Sequence, residues 1–256
     1  MTVHKKMQEI FTLAIPTDSS QNLTDIKNIL YGNRANTVYA AAFARDLPKA
    51  VTIDAFDLLA DELCNYMKST TVHTQLSFDA WHHSVCDEFI QKLNSRSSRR
   101  KKYGKAQKAF NMAAKYLYCC NDTITPSMQS KFDDCHIALD GFTYIENPTN
   151  YPLSFYRDVV IPWKYGSMPR RTIKFWSRLD YDNYKTAVNN IRAFFDVPEH
   201  KHTFNEYLSA CHATGILTRV SPVPNEDDRV LTPFEAEFFI WEICKQNRPT
   251  VFAVLF

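Results

Sequence analysis

Two stretches of the chain carry side chains whose types and spacing could do chemistry. Between Phe89 and Asn121 there is no acidic residue, while nine cations fall there: Lys92, Arg96, Arg99, Arg100, Lys101, Lys102, Lys105, Lys108 and Lys115. A run of one sign attracts polyanions, with a steep dependence on salt. Gly104 stands at the start of a helical pattern, where free backbone N–H groups and the helix dipole can hold a phosphate, and Tyr103 offers a ring on which a base could stack. The other reading of the same residues is a solvated basic loop that leads into a core helix. The second stretch, "KFDDCHIALDG", brings Asp133, Asp134, His136 and Asp140 together. On a helix over 135–144, His136 and Asp140 face the same way. Pairing would orient the imidazole and raise its pKa, and a carboxylate there could act as a general base toward water. The alternative is an N-cap made by Asp133 or Asp134 and a polar tie beneath a long loop.

Smaller constellations accompany these. Gln107 and Asn111 lie one turn apart and read as an exposed pair of amides, able to recognise a planar polar ligand or to bond across to a neighbouring segment. His82 with Cys86, and His83 with Asp87, have the same spacing. Either pair could give two metal ligands, but a closed zinc site needs four, and no second Cys/His pair lies nearby. No metal or cofactor is expected. Neither G-x-S-x-G nor H-E-x-x-H occurs.

The elements that must position these residues are mainly helical. The 256 residues hold only five glycines, no two of them close together, which excludes G-x-G-x-x-G and the P-loop and argues against a dinucleotide-binding or P-loop fold. Hydrophobic content is 45% and charged content 23%, an ordinary globular balance. Net charge is +2, so any electrostatic footprint is local. Seven scattered cysteines without C-x-x-C fit reduced, buried thiols of a cytoplasmic protein. No apolar run is long enough to span a bilayer, and the first residues do not read as a signal peptide. The spacing predicts helices over 21–30, 37–45, about 53–67, 77–93 with Ser77 as N-cap, 105–120 and about 177–195. After residue 200 the rhythm changes. A helix stops at Gly215, short strands are expected at Ile216–Val220 and around Val230, a helix starts with Thr232 as N-cap and Pro233 at its first position, and "TVFAVLF" closes as a strand.

Some of these residues also carry resemblances. "YGKAQKAFNMAAKYLY", "CHIALDGF" and "FWSRLDYDNY" resemble an uncharacterised bacterial family with a G-x-A-Q-K-x-x-N-M helix, then H-I-x-x-D, then a W-S segment. The likeness implies relatedness over about Tyr103–Tyr184 and no activity. A more distant resemblance is to helix-hairpin-helix DNA glycosylases, with "YGKAQK" as the end of the hairpin, carrying one glycine where those enzymes have two, and "DDCHI" as the acidic segment. It implies Asp134 as the catalytic carboxylate, Lys105 or Lys108 beside the scissile nucleoside, and base extrusion into an aromatic pocket that Tyr103, Trp163 and Trp176 could line.

The expectation is therefore a mainly α protein. A helical bundle fills residues 1–200, and a small C-terminal α+β subdomain over 201–256 resembles a winged-helix arrangement. Its expected partner is nucleic acid or a nucleotide. Arg99, Arg100, Lys101, Lys102, Tyr103, Gly104, Lys105 and Lys108 would make the phosphate contacts, and Asp134, His136 and Asp140 any chemistry. The competing class is a helical adaptor that docks an acidic protein on the same basic surface.

Overall fold

The computed structural model describes residues 3–10, 23–32, 37–70, 74–96, 101–120, 124–145, 148–166, 174–223 and 228–256. They form two compact units, one of Thr12–Cys135 and one of Met1–Phe11 with His136–Phe256. Helix α1 (Val3–Ile10) belongs to the second.

The first unit contains α2 (Leu23–Tyr31), α3 (Val38–Ala42), α4 (Lys49–Lys68), α5 (Gln75–Arg96), α6 (Tyr103–Cys120) and α7 (Pro126–Asp133). The apolar stripes of α4 and α5 zip together in opposite directions. Arg96 meets Asp54 at 2.5 Å, Phe89 meets Phe56, Trp81 donates to Glu62 at 2.9 Å, and Tyr66 packs on Phe78 and Trp81. Thr74, and not Ser77, caps α5, since its hydroxyl accepts the Ser77 N–H at 3.2 Å. Helix α6 packs against α2, α3 and α5 and is buried nearly all round. The expected apolar residues Ala106, Ala109, Phe110, Ala113, Leu117 and Cys120 are inside, and so are Tyr103, Gly104, Gln107 and Asn111. Helix α7 closes the far end. The buried Lys131 ammonium donates to the Tyr66, Met67 and Ser69 carbonyls at 2.7–2.9 Å, which places a cation at the negative end of α4.

The second unit adds α8 (Ile161–Tyr165), preceded by a π-helical turn Tyr156–Val160, then α9 (Tyr181–Asp196), α10 (Phe204–Ala213), α11 (Pro233–Lys245) and α12 (Pro249–Leu255). Phe155, Phe194, Phe195, Phe252 and Phe256 share one aromatic core. Thr232 and Pro233 start α11 as the sequence indicates, with a reciprocal capping box to Glu235.

The mainly α class holds, while the α+β subdomain does not: no strand occurs among the described residues, only an isolated bridge between Thr203 and Val230. Backbone turns left-handed at Gly215 (φ 79°) and Leu217 (φ 56°), which breaks extension over 216–220. The "TVFAVLF" run is helical. Pro249 sits at its first turn, and Val251, Phe252 and Leu255 face inward while Val254 is 67% exposed. A β-branched run without a ladder partner satisfies its backbone polar groups by coiling on itself. The change of rhythm near residue 200 lies inside one unit, because α9 packs on α11 and α10 on α12. The division falls at 135/136.

Candidate functional site

The basic stretch starts where α5 ends. Asn94 holds the backbone of Lys101 from both sides, accepting its N–H at 2.6 Å and donating to its carbonyl at 3.4 Å. The chain is thus fixed before it enters α6, with Lys102 exposed and Lys101 and Lys108 half-buried. Arg99 and Arg100 lie outside the described residues. Lys105 does not face a ligand. Its ammonium is paired with Asp46, donates to the Ala42 carbonyl at 3.2 Å and sits 5.8 Å from the Phe43 ring centre, so it ties the start of α6 to the end of α3. Burial pushes the Asp46 carboxyl up, but Lys105, with Lys101 and Arg45 nearby, outweighs it and holds Asp46 below the ordinary carboxylate range. Lys92 and Arg96 likewise face Glu88 (3.7 Å) and Asp54 (2.5 Å). An interval without acids in the sequence is therefore partly neutralised in space by acids from α4, α5 and the turn before α4.

Tyr103 is not a stacking surface. It is buried, and its hydroxyl points at His82 Nδ1 at 3.4 Å. Gln107 and Asn111, expected on an exposed face, are inside as well. Together these groups make a directed chain of neutral hydrogen bonds. The Tyr103 hydroxyl donates to His82 Nδ1, and His82 Nε2–H donates to Asn111 Oδ1 at 3.1 Å. Asn111 Nδ2 then donates to Gln107 Oε1 at 3.2 Å, and Gln107 Nε2 to the Gly104 carbonyl at 2.9 Å. The tautomer follows from the partners, because an amide oxygen can only accept. His82 is thereby committed to the core, and Cys86 beside it is held protonated, since burial pushes its thiol up. No group of three or more His, Cys, Asp or Glu side chains suited to a metal occurs among the described residues.

The acidic and histidine segment is not a helix. Residues 135–139 have no regular structure, and a turn follows over 140–144. His136 and Asp140 are therefore not paired as one helical turn would pair them. Asp140 folds onto its own turn, where Oδ1 accepts the N–H groups of Phe142 (2.8 Å) and Thr143 (3.1 Å), as an aspartate does in an Asx turn. His136 bonds to α9 instead, through Nδ1 to the Tyr184 hydroxyl at 2.5 Å and through Nε2 to Arg192 at 2.8 Å. Arg192 can only donate, so His136 Nε2 accepts and the ring is neutral. Asp133 and Asp134 stand at the end of α7, not at a helix start, and the Asp134 carbonyl accepts from Gln75 at 3.1 Å. Asp134 is also remote from Lys105. Phe132 packs on Tyr118 near the end of α6, and about 20 Å of helix separates Tyr118 from Lys105.

Sequence reasoning did not find the open cleft between α10 and α12, of about 600 Å³, bordered by His202, Glu206, Ser209, Asp228 and Val254. Three of its polar groups are engaged by the fold. Glu206 accepts the Thr203 N–H, Asp228 the Asn205 N–H, and His202 Nε2 donates to the Leu255 carbonyl. What fold and site define is an all-helical chain with one basic helix entrance and no assembled catalytic constellation among the described residues. No family model, no curated protein and no solved structure matches the chain.

Proposed function

We propose that this protein binds nucleic acid or a nucleotide through phosphate contacts at the start of α6, made by Lys101, Lys102 and Lys108 with Arg99 and Arg100. The observation that supports this reading is the pinned backbone of Lys101 next to the exposed Lys102, which lowers the backbone part of the ordering cost at the moment of binding. No chemistry beyond binding is proposed. Asp134 sits at the other end of α6, while His136 and Asp140 are committed to α9 and to a local turn. The test is titration of labelled DNA and RNA, with ATP as the mononucleotide, into the full chain and into a variant with Arg99, Arg100, Lys101 and Lys102 changed to Ser. The variant is expected to bind more weakly and to show a shallower salt dependence, by about 0.9 in the log–log slope for each duplex phosphate no longer neutralised. Unchanged affinity sinks the reading.

One observation favours the adaptor alternative: Asp46, Asp54 and Glu88 already neutralise three of the cations. On that reading the wild-type chain binds polyglutamate through the same four residues and has no affinity for nucleic acid.

A further inference from the structure

Between Asp158 and Asp180 the chain carries no acidic residue, while five cations and four aromatic residues alternate there: "VVIPWKYGSMPRRTIKFWSRL". The described part of this stretch puts both kinds of side chain on the surface. Trp163 is 38% exposed, Tyr165 50% and Phe175 37%, and Lys164, Lys174 and Arg178 are exposed beside them. We propose that the exposed side chains of this stretch bind single-stranded nucleic acid, with bases stacked on Trp163, Tyr165 and Phe175 and phosphates met by Lys164 and Arg178, while Lys174 stays paired with Asp180.

Trp163 and Tyr165 are held in place before any ligand arrives. Trp163 stands edge-on to Phe194 (5.3 Å between ring centres, 86° between planes) and close to His200. The Tyr165 hydroxyl accepts from Asn190 Nδ2 at 3.2 Å, and the same amide donates to Tyr156 at 2.8 Å. The second aromatic run is fixed by the Trp176 N–H, which donates to the Ile145 carbonyl at 3.0 Å, and by the Lys174–Asp180 ion pair at the cap of α9. Lys164 Nζ lies 5.6 Å from the Trp163 ring centre and keeps a charge at the edge of the stack. The two runs are joined through the core: Trp176 bonds to Ile145, Tyr144 stacks on Tyr156 at 4.8 Å, and Tyr156 shares Asn190 with Tyr165.

The occupant follows from this layout. Lys164 and Arg178 are exposed cations, and such charges attract a polyanion, whereas Lys174 is already paired with Asp180. Half-exposed rings add stacking, which accepts any base and needs bases that are already unpaired. About 15 Å of α9 separates its Asp180 cap from Asn190, which is too far for one nucleotide and suits a strand. A lipid surface fits less well. The aliphatic side chains of Val160, Ile161 and Leu179 are buried, so the described part of the stretch offers little aliphatic surface to enter a bilayer.

None of the residues at the start of α6 takes part, so this stretch stands or falls apart from the reading above. The experiment measures binding of the full chain to labelled oligothymidylate, to the matching duplex and to phosphatidylserine vesicles, by anisotropy and by quenching of tryptophan fluorescence. It compares wild type, Tyr165→Ala/Phe175→Ala and Lys164→Ser/Arg178→Ser, each checked for an unchanged melting temperature. The single strand should bind more tightly than the duplex and quench tryptophan, and the aromatic variant should weaken it by at least about tenfold. The cation variant should weaken it and flatten its salt dependence. Binding of the single strand that is equal in wild type and aromatic variant overturns the proposal, as does affinity for vesicles with none for the oligonucleotide. If melting shows that Phe175→Ala disturbs the fold, Tyr165→Phe and Lys164→Ser carry the test: loss in the second with retention in the first is expected, and no change in either overturns it. Loss of binding in Lys101→Ser/Lys102→Ser, with none in the aromatic variant, leaves the α6 reading in place and removes this one.

Discussion

Four residues of α6 and α5 show how one side chain decides a local structure. Asn111 sits between two partners that have no route to water, accepting from His82 and donating to Gln107 inside the 12–135 unit. Substituting leucine keeps the branching of the side chain but removes the amide that His82 and Gln107 bond to, and a buried polar group that loses its partner costs about 1–3 kcal/mol. Asn111→Leu should therefore lower stability by roughly 2–4 kcal/mol, read by urea denaturation, while Met112→Leu beside it changes stability little. An equal effect of the two would mean that the chain of hydrogen bonds contributes nothing. The sequence offered Gln107 and Asn111 as ligand-reading amides. A polar pair at helical spacing looks the same on a surface and in a core, and only the position of α5 decides which it is.

At the scale of the element, the caps are the most legible features and the most testable. Asp180 caps α9, accepting the Asn183 N–H at 3.0 Å and pairing with Lys174. Burial alone would raise its pKa. The Lys174 ammonium and the Asn183 amides outweigh it and hold the carboxyl down at about 2, below its ordinary 3.8. A depressed folded pKa gives stability that is present above about 4 and lost as pH falls through about 2. The carboxyl is 45% exposed, so solvent screening keeps the effect modest. The Asn183 amide resonance should titrate with a midpoint near 2. Asp180→Asn, which still caps, should abolish that titration without unravelling the first turn. The π-helical turn Tyr156–Val160 ahead of α8 has no signature that spacing alone reveals.

Over the whole chain the cysteines behave as one set. None of the seven forms a disulfide, and every one except Cys119 is buried. Burial pushes Cys86, Cys135 and Cys244 well up, and Cys211 to about 12, so none of these four presents a thiolate at neutral pH. A thiol reagent should therefore titrate about one cysteine in the native protein and all seven in denaturant. Fast native reaction of several would contradict the packing of both units. No helix among the described residues is long and apolar enough to cross a membrane.

Much of the helical architecture was legible from spacing alone. The stripes of α4, α5 and α6, the Thr232–Pro233 start of α11 and the end of α9 before Pro198 all depend on neighbours within four or five residues, which the chain itself supplies. What spacing could not reach were features that depend on distant partners. The "TVFAVLF" run became a helix because no strand lay beside it among the described residues. Tyr103, Gln107 and Asn111 went inside because α5 supplied His82, Lys105 was spent on Asp46, and His136 turned to α9 instead of Asp140. Charge shows the same limit. A run of one sign is a property of the sequence, but whether it stays unpaired depends on which acids the fold brings near it, because Coulomb energy depends on separation in space and not along the chain.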